Sequence, residues 1–155
     1  MQPSSLRRAT AADAANVRAF TRSAYAKWVP LIGREPLPMT ADYDRAVADH
    51  IIDLWEEGGE LLALIEVAPA SDHLLIVNLA VRPDQQGKGV GGRLLHHAEE
   101  LARSLGFREI QLYTNAAFAS NLAFYARRGY QEYRRGTVLP GSVAVFMRKQ
   151  IGASE

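Results

Sequence analysis

The chain has 155 residues, a length that predicts one domain with its own core and leaves no room for two conventional domains. Its 18 basic and 17 acidic residues nearly balance, which argues against the strongly basic surface that nucleic-acid binding needs. There is no cysteine, so disulfides, thiolate metal ligands and a cysteine nucleophile are excluded, and no metal site is predicted.

The first forty residues predict a strand, a long helix and a loop. Residues 5–10 are predicted as a short strand, and residues 11–28 as a helix because apolar side chains from Val17 to Trp28 recur at helical spacing. The segment "VPLIGREPLPMT" is predicted as a loop, since its three prolines cannot donate main-chain hydrogen bonds. The amino terminus lacks the apolar core of a secretory signal and no later stretch reaches membrane-spanning length, which predicts a cytoplasmic protein without a membrane partner.

A second helix and three strands are predicted next. Thr40 and Asp42 begin a helix that runs through about Ala48. Three apolar runs then predict an antiparallel meander, because the turn-rich stretches "EEGGE" and "APASD" separate them. These runs are residues 51–55, 61–67 and 74–81. The third run is apolar on both faces except at Asn78, as expected for a central strand, so this amide needs a partner or a purpose.

The second half of the chain predicts two further helices and three strands. Apolar positions from Val90 to Leu105 recur at steps of three and four and predict a helix that ends at Gly106. The stretch "REIQLYTN" predicts a strand, "AFASNLAFYARRG" a helix stopped by Gly129, and "YQEYRRGTV" and "SVAVFMRKQI" two closing strands. The order is βααβββαβαββ, an α/β chain forming one domain over residues 1–155. The closing strand could pair across a homodimer or be buried within one subunit.

The glycine-rich stretch "GKGVGG" precedes the helix that begins at Val90. Gly87, Gly89 and Gly92 satisfy G-x-G-x-x-G, but five residues separate Gly87 from the preceding strand, and the acidic residue expected at the end of the next strand is missing. A dinucleotide-binding turn is therefore disfavoured. A P-loop is excluded because Gly rather than Ser or Thr follows Lys88. What remains is a set of unobstructed main-chain N–H groups at a helix amino terminus, where a bound anion is favoured.

Two stretches resemble signatures of the GNAT superfamily of N-acetyltransferases. "LAVRPDQQGKGVGGRLL" resembles its acetyl-CoA-binding motif Q/R-x-x-G-x-G/A, and "NLAFYARRGYQEY" is similar to its second signature, an Asn followed by Phe-Tyr, Gly and an aromatic. Together they span about residues 74–133. The resemblance implies a GNAT-like fold, with a mixed, mostly antiparallel sheet of about seven strands and four helices, and an acetyl-CoA-dependent N-acetyltransferase that acts on a primary amine.

The resemblance also implies roles for individual residues. Main-chain N–H groups of the glycine loop would hold the CoA pyrophosphate, and the end of the third apolar run would pair with the pantetheine arm. The main-chain N–H of Leu79 would polarise the acetyl carbonyl, and Tyr125 would be the general acid. Arg127 would approach the 3′-phosphate or remain a solvated charge. The implied cofactor-binding residues are Leu79, Ala80, Val81, Gln86, Gly87, Lys88, Gly89, Val90, Gly91, Gly92, Asn121, Phe124 and Arg127.

The chemistry of amine acetylation supports these roles in part. A phenol has a reference pKa near 10, so it is protonated at pH 7 and can donate a proton to a leaving thiolate. The attacking amine must be neutral, so a base or a water chain is expected. The sequence leaves Glu56, Glu66, His73 and Asn78 open as catalytic candidates, and Asn78 only as a group that positions a water molecule.

The acceptor is the least defined part of the prediction. In GNAT-like folds the first two helices and their connection build the acceptor pocket, which implies Tyr25, Trp28, Met39 and Tyr43 here. Residues 42–60 are acidic, which fits either a cationic amine or a solvated helix face. A peptide amino terminus, a lysine side chain, a polyamine, an aminoglycoside and an amino acid all remain open. The alternative function is a non-catalytic module that binds and senses acyl-CoA.

Overall fold

The computed structural model describes residues 5–152 of the chain. The strands are β1 (Ser5–Arg8), β2 (Ile51–Glu57), β3 (Glu60–Pro69), β4 (Leu74–Val81), β5 (Glu109–Asn115), β6 (Gln131–Leu139) and β7 (Ser142–Gln150). The helices are α1 (Ala14–Tyr25), α2 (Val29–Ile32), α3 (Leu37–Thr40), α4 (Tyr43–Asp49), α5 (Val90–Ser104) and α6 (Ala119–Ala126). The strands form one sheet in the order β1-β2-β3-β4-β5-β7-β6. Within the described range, no helix is both long and apolar enough to span a membrane.

The chain divides into two compact units, and the first comprises the residues up to Ala68 together with Val77–Ala98. In this unit β2 pairs antiparallel with both β1 and β3. Ile52, Leu54 and Leu64 are at most 2% exposed, and burial stabilises each such side chain by roughly 1.5–3 kcal/mol. The core cluster also contains residues from α1, α4 and the end of β4: Val17, Ala24, Tyr43, Ala46 and Ala80.

The second unit comprises Pro69–Ile76 and the residues from Glu99 onward. Here β4 and β5 pair in parallel over three residue pairs, from Leu74 opposite Ile110 to Ile76 opposite Leu112. β7 pairs antiparallel with β5 on one edge and with β6 on the other. One face of these strands is buried and carries Ile110, Leu112, Val145 and Met147.

The predicted fold class is confirmed, since a mixed sheet of seven strands is present and, of the strand pairs described above, only β4 with β5 is parallel. The helix predicted to stop at Gly106 does so, because Gly106 has φ 88° and the Phe107 N–H donates to the Ala102 carbonyl at 2.9 Å. β7 lies between β5 and β6, so its edges are both paired within the chain. Pairing within one subunit therefore accounts for this strand, and a homodimer stays a prediction.

The segment predicted as a proline-rich loop contains two short helices, α2 and α3, so that prediction was wrong. Pro30 and Pro38 each lie in the first turn of one of these helices. Proline is tolerated there because the first N–H groups of a helix have no intrahelical acceptor. The prolines therefore begin two helical turns, and Gly33, with φ 74°, ends the first of them.

Candidate functional site

The glycine loop, residues 83–92, has the backbone that its glycines predict. Gly87 and Gly89 have φ angles of 79° and 84°, a left-handed conformation that side chains with a Cβ rarely adopt. A Cβ built on either residue would meet no atom within 4 Å, so both face open space. The first helical hydrogen bond of α5 runs from the Arg93 N–H to the Gly89 carbonyl at 3.2 Å. The N–H groups between these two residues start the helix without intrahelical acceptors.

The Gln86 side chain ties this loop to the rest of the first unit. Its Nε2 donates to the Val81 carbonyl at 2.9 Å, and its Oε1 accepts from Lys27 Nζ at 2.7 Å. The sequence analysis did not single out Lys27. Its positive charge lies beside the glycine loop, where Lys88 and Arg93 are also exposed. An anion at this helix terminus would therefore meet both main-chain donors and nearby cations.

The end of β4 has main-chain groups that do not pair with β3. Along a strand, the main-chain N–H and C=O groups of successive residues point alternately to the two sides. The Arg82 N–H donates to the Leu62 carbonyl of β3 at 2.9 Å, so the N–H and C=O groups of Val81 and Leu79 point away from β3. The Leu79 carbonyl accepts from the Tyr25 hydroxyl at 3.2 Å and the Val81 carbonyl from Gln86. The pairing register of β4 with β5 ends at Ile76. The proposed donor at Leu79 and the pantetheine pairing stay predictions.

Asn78 lies in a buried polar cluster of the first unit, which also contains Thr21 and Tyr43. It is 2% exposed, and its Nδ2 donates to Thr21 Oγ1 at 3.2 Å and to the Tyr43 hydroxyl at 3.3 Å. Its Oδ1 is buried and has no hydrogen-bond partner among the described residues. Burial raises the pKa of Tyr43 to about 12, a hydrogen bond from Thr21 opposes this, and the charge of Glu66 adds to it. The structure therefore supplies hydrogen-bond partners for Asn78 Nδ2 but none, among the described residues, for Asn78 Oδ1.

The candidate bases differ in what surrounds them. Glu66 is 3% exposed, and its Oε2 lies 2.6 Å from His50 Nδ1. Glu56 is paired with Arg7 at 2.5 Å, and His73 Nδ1 lies 2.6 Å from the exposed carboxylate of Asp72. Of these three, only Glu66 is buried, and its charge acts on Tyr43 of the polar cluster.

Tyr125 is buried in the second unit among aromatic side chains. It is 8% exposed, and its ring meets those of Phe124 and Tyr130 edge to face, with centroids 5.1 and 5.7 Å away. Burial raises the pKa of Tyr125 above its usual value. The Tyr130 hydroxyl donates to Glu99 Oε2 at 2.9 Å, and Glu99 Oε1 accepts from Lys149 Nζ at 3.1 Å. The packing holds Tyr125 in its neutral form, as a proton donor requires.

The other candidates on α6 have different environments. Asn121 is half-buried on the first turns of the helix, and Arg127 is exposed at its carboxyl end. Phe124 is half-buried and carries the Arg128 guanidinium, whose Cζ lies 3.9 Å from the ring centroid. Arg128 also donates to the Phe124 carbonyl at 3.0 Å. The cofactor contacts predicted for Asn121, Phe124 and Arg127 stay predictions.

The four predicted acceptor residues lie in the first unit. Met39 and Tyr43 are buried, at 5% and 3% exposed, and the Tyr43 hydroxyl donates to the Pro38 carbonyl at 2.6 Å. Tyr25 and Trp28 are half-buried, and Lys27 Nζ lies 4.9 Å from the Trp28 ring. Met39 and Tyr43 therefore have packing roles of their own, whatever binds beside them.

The sequence matches the Acetyltransferase (GNAT) family over residues 17–130. The chain belongs to this family. No match was found among curated protein sequences. The matched range contains the glycine loop, the buried polar cluster and Tyr125, so these features lie in the part of the chain that defines a GNAT acetyltransferase.

Solved structures share the GNAT fold at low sequence identity. PaiA N-acetyltransferase from Thermoplasma acidophilum, in complex with coenzyme A, is 17% identical with a TM-score of 0.83, over 96% of this chain and 99% of that one. The ribosomal-protein-S18-alanine N-acetyltransferase from Escherichia coli is 19% identical with a TM-score of 0.78, over 99% and 97%. A GNAT acetyltransferase from Elizabethkingia anophelis with acetyl-CoA bound is 14% identical with a TM-score of 0.73, over 95% and 97%.

Several residues of this candidate site were not predicted from the sequence. Thr21 and His50 are partners of Asn78 and Glu66, but each lies far from its partner in the sequence. The buried Asn78 was the one signal that a polar neighbour had to exist. Nothing in the sequence indicated which residue of α1 would supply it, because the partner depends on how the helix packs on the sheet.

Proposed function

We propose that this GNAT protein transfers an acetyl group from acetyl-CoA to a primary amine by direct attack. The observation that carries the proposal is the glycine loop, whose left-handed Gly87 and Gly89 face open space before a helix of fifteen residues. The free N–H groups at the start of α5 fit a pyrophosphate, and two relatives of the fold contain coenzyme A or acetyl-CoA. A single catalytic domain over residues 1–155 is part of the proposal.

Acetyl-CoA supplies the thioester carbon that the amine nitrogen attacks. The Leu79 N–H donates to the carbonyl oxygen, where negative charge develops as the new C–N bond forms. Tyr125 holds a proton at its phenol oxygen and donates it to the sulfur as the C–S bond breaks. The raised pKa of Tyr125 keeps this proton in place at neutral pH. The reaction balances when the amine gives one proton to a base.

We place that base at Glu66 with His50. The carboxylate of Glu66 is buried beside the imidazole, and the His50 side chain is 33% exposed, which leaves it a route to solvent. Glu66 also acts on Tyr43, whose hydroxyl contacts Asn78 on β4. The polar cluster thus connects Glu66 to the residue that precedes Leu79. Asn78 would hold the water molecule through which the proton passes.

Thiol release tests the proposal directly. The chain contains no cysteine, so a thiol-reactive dye reports only coenzyme A and has no background from the protein. We expect acetyl-CoA to bind in a calorimetric titration, and thiol to appear with at least one class of a panel of amines. Binding without thiol release from any amine would favour the acyl-CoA sensor instead. Absence of binding would remove both functions.

A further inference from the structure

One face of β5, β7 and β6 carries three aromatic rings and two arginines that the proposed reaction does not use. We call it the aromatic–arginine face; its residues are Tyr113, Tyr133, Arg134, Phe146 and Arg148. On β7, Phe146 lies opposite Tyr113 of β5 on one side and opposite Arg134 of β6 on the other. The Tyr113 and Phe146 ring centroids are 5.5 Å apart, and Arg134 Cζ lies 4.0 Å from the Phe146 centroid.

A second row lies beside the first on this face. The pairing of β6 with β7 is irregular between Glu132 and Arg134, at Tyr133. The Tyr133 hydroxyl donates to Gln111 Oε1 of β5 at 2.8 Å, so this side chain crosses β7. Arg148 Cζ lies 4.9 Å from the Tyr133 ring centroid. The rings and guanidinium groups are therefore held in fixed positions rather than scattered over the surface.

The charge of this face is not neutralised within the described part of the chain. Neither Arg134 nor Arg148 lies within 4.0 Å of a carboxylate there, whereas the neighbouring Arg135 is paired with Glu132. Tyr113 and Tyr133 are 42% and 39% exposed. A guanidinium stacked on a ring keeps its N–H edge free for a carboxylate, and exposed rings favour a flat or apolar group. The face is complementary to a ligand that carries both.

We propose that the aromatic–arginine face binds a small ligand that carries a carboxylate next to an apolar or aromatic group, as an aromatic amino acid does. It does not depend on acetyl transfer, because no residue of the face takes part in the proposed reaction. Two free arginines in a chain of formal net charge +1 match one small anion better than a nucleic-acid backbone. A second copy is disfavoured because like charges of two such faces would meet across a symmetric contact.

Binding of 3-phenylpropanoate, which has the ring and carboxylate but no amine, tests this without catalysis. The matched probe is 3-phenylpropanamide, in which the charge is absent. We expect the protein to bind the carboxylate at least tenfold more tightly, as measured by NMR titration with coenzyme A present. Arg134→Gln or Arg148→Gln should abolish this preference. Arg135→Gln should keep it, because that arginine is already paired.

The outcomes separate this inference from the proposed function. Equal affinity for the two probes, or a preference that survives both Arg134→Gln and Arg148→Gln, would overturn the inference while thiol release stands. Saturable binding of a single-stranded oligonucleotide, or a dimer that dissociates in Arg134→Gln, would assign the face to another partner and also overturn it. Loss of the carboxylate preference in both variants, with Arg135→Gln unaffected, supports it.

Discussion

The glycine loop and the surroundings of Tyr125 differ in which part of the chain carries the proposed function. In the loop the proposed binding groups are main-chain N–H groups, and Gly87 and Gly89 leave open space in front of them. Around Tyr125 the proposed proton donor is a hydroxyl, and packed side chains such as Phe124 and Tyr130 position its ring. The proposed role of the loop therefore depends on the absence of side chains, and that of Tyr125 on their presence.

This difference determines which substitutions matter in each region. In the loop an added side chain should block a bound anion, while removal of a side chain should change little. At Tyr125 the loss of the hydroxyl oxygen should remove the proposed proton donor, while the backbone is unaffected. The substitutions below test this difference between the two regions.

Removing the Tyr125 hydroxyl gives the largest expected effect. Tyr125→Phe should lower kcat by about one to two orders of magnitude, since general acid catalysis typically contributes about 10²- to 10⁴-fold. The affinity for acetyl-CoA should remain unchanged, because the glycine loop is intact. Initial rates of thiol release and a calorimetric titration measure the two quantities. Turnover equal to that of the original protein would remove Tyr125 from the mechanism.

Adding a side chain to the glycine loop should instead lower the affinity for acetyl-CoA. Gly89→Val should weaken acetyl-CoA binding by about tenfold or more, because a branched side chain fills the space in front of the N–H groups. Gly59→Val is the matched control, since Gly59 has φ 83° against 84° for Gly89 and also faces open space. Both variants carry the same backbone strain, of roughly 1–2 kcal/mol.

Only Gly89→Val should lose affinity, although the two variants should unfold at similar temperatures. Calorimetric titration and thermal unfolding of both proteins measure this. Equal affinities in the two variants would show that strain, rather than blocked access, explains any loss, and the anion-binding geometry of the loop would be refuted.

Substitution of the proposed base should have a smaller effect. Glu66→Gln keeps the size of the buried side chain but removes its charge, so kcat/KM at pH 7 should fall by about tenfold. Glu56→Gln is the control, because Glu56 is already paired with Arg7 at the surface. Raising the pH should partly restore the rate of Glu66→Gln, since a larger fraction of the amine is then neutral. An equal fall in both variants would argue against Glu66 as the base.

Much of the fold could be predicted from local patterns. The helix from Val90 to Gly106 was predicted within two residues of its observed end, because its apolar spacing and its terminal glycine are both local signals. The two helical turns at Pro30 and Pro38 were not predicted, because proline both ends and begins helices and only packing decides between them.

The candidate site likewise has a part that could be predicted from the sequence and a part that could not. The backbone of the glycine loop could be predicted, since Gly87 and Gly89 are required by their own φ angles. The neighbours of Asn78 could not, because Thr21 comes from a helix 57 positions earlier in the chain. The aromatic–arginine face was also missed, since it needs the register of three strands whose order in the sheet, β5-β7-β6, differs from their order in the chain.

The smallest expected effect concerns stability at high pH. Burial raises the pKa of Tyr125 and of Tyr130, whose pKa is raised further by Glu99. The stability that these groups provide is therefore fully present below the unfolded-state pKa near 10 and is lost as the pH rises above it. At pH 11 the raised pKa of each tyrosine should lower the free energy of unfolding by about 1.4 kcal/mol. Thermal unfolding between pH 9 and about pH 11 should show this loss.

Two double variants separate buried from exposed tyrosines. Tyr125→Phe with Tyr130→Phe should lose less stability between pH 9 and about pH 11 than the original protein, because neither ring can ionise. Tyr113→Phe with Tyr133→Phe is the control, since these two side chains are exposed, and it should lose as much stability as the original protein. An identical alkaline loss in both double variants would mean that other groups control it. In that case the neutral form of Tyr125 would not be maintained by its packing, and the contrast with the glycine loop would fail.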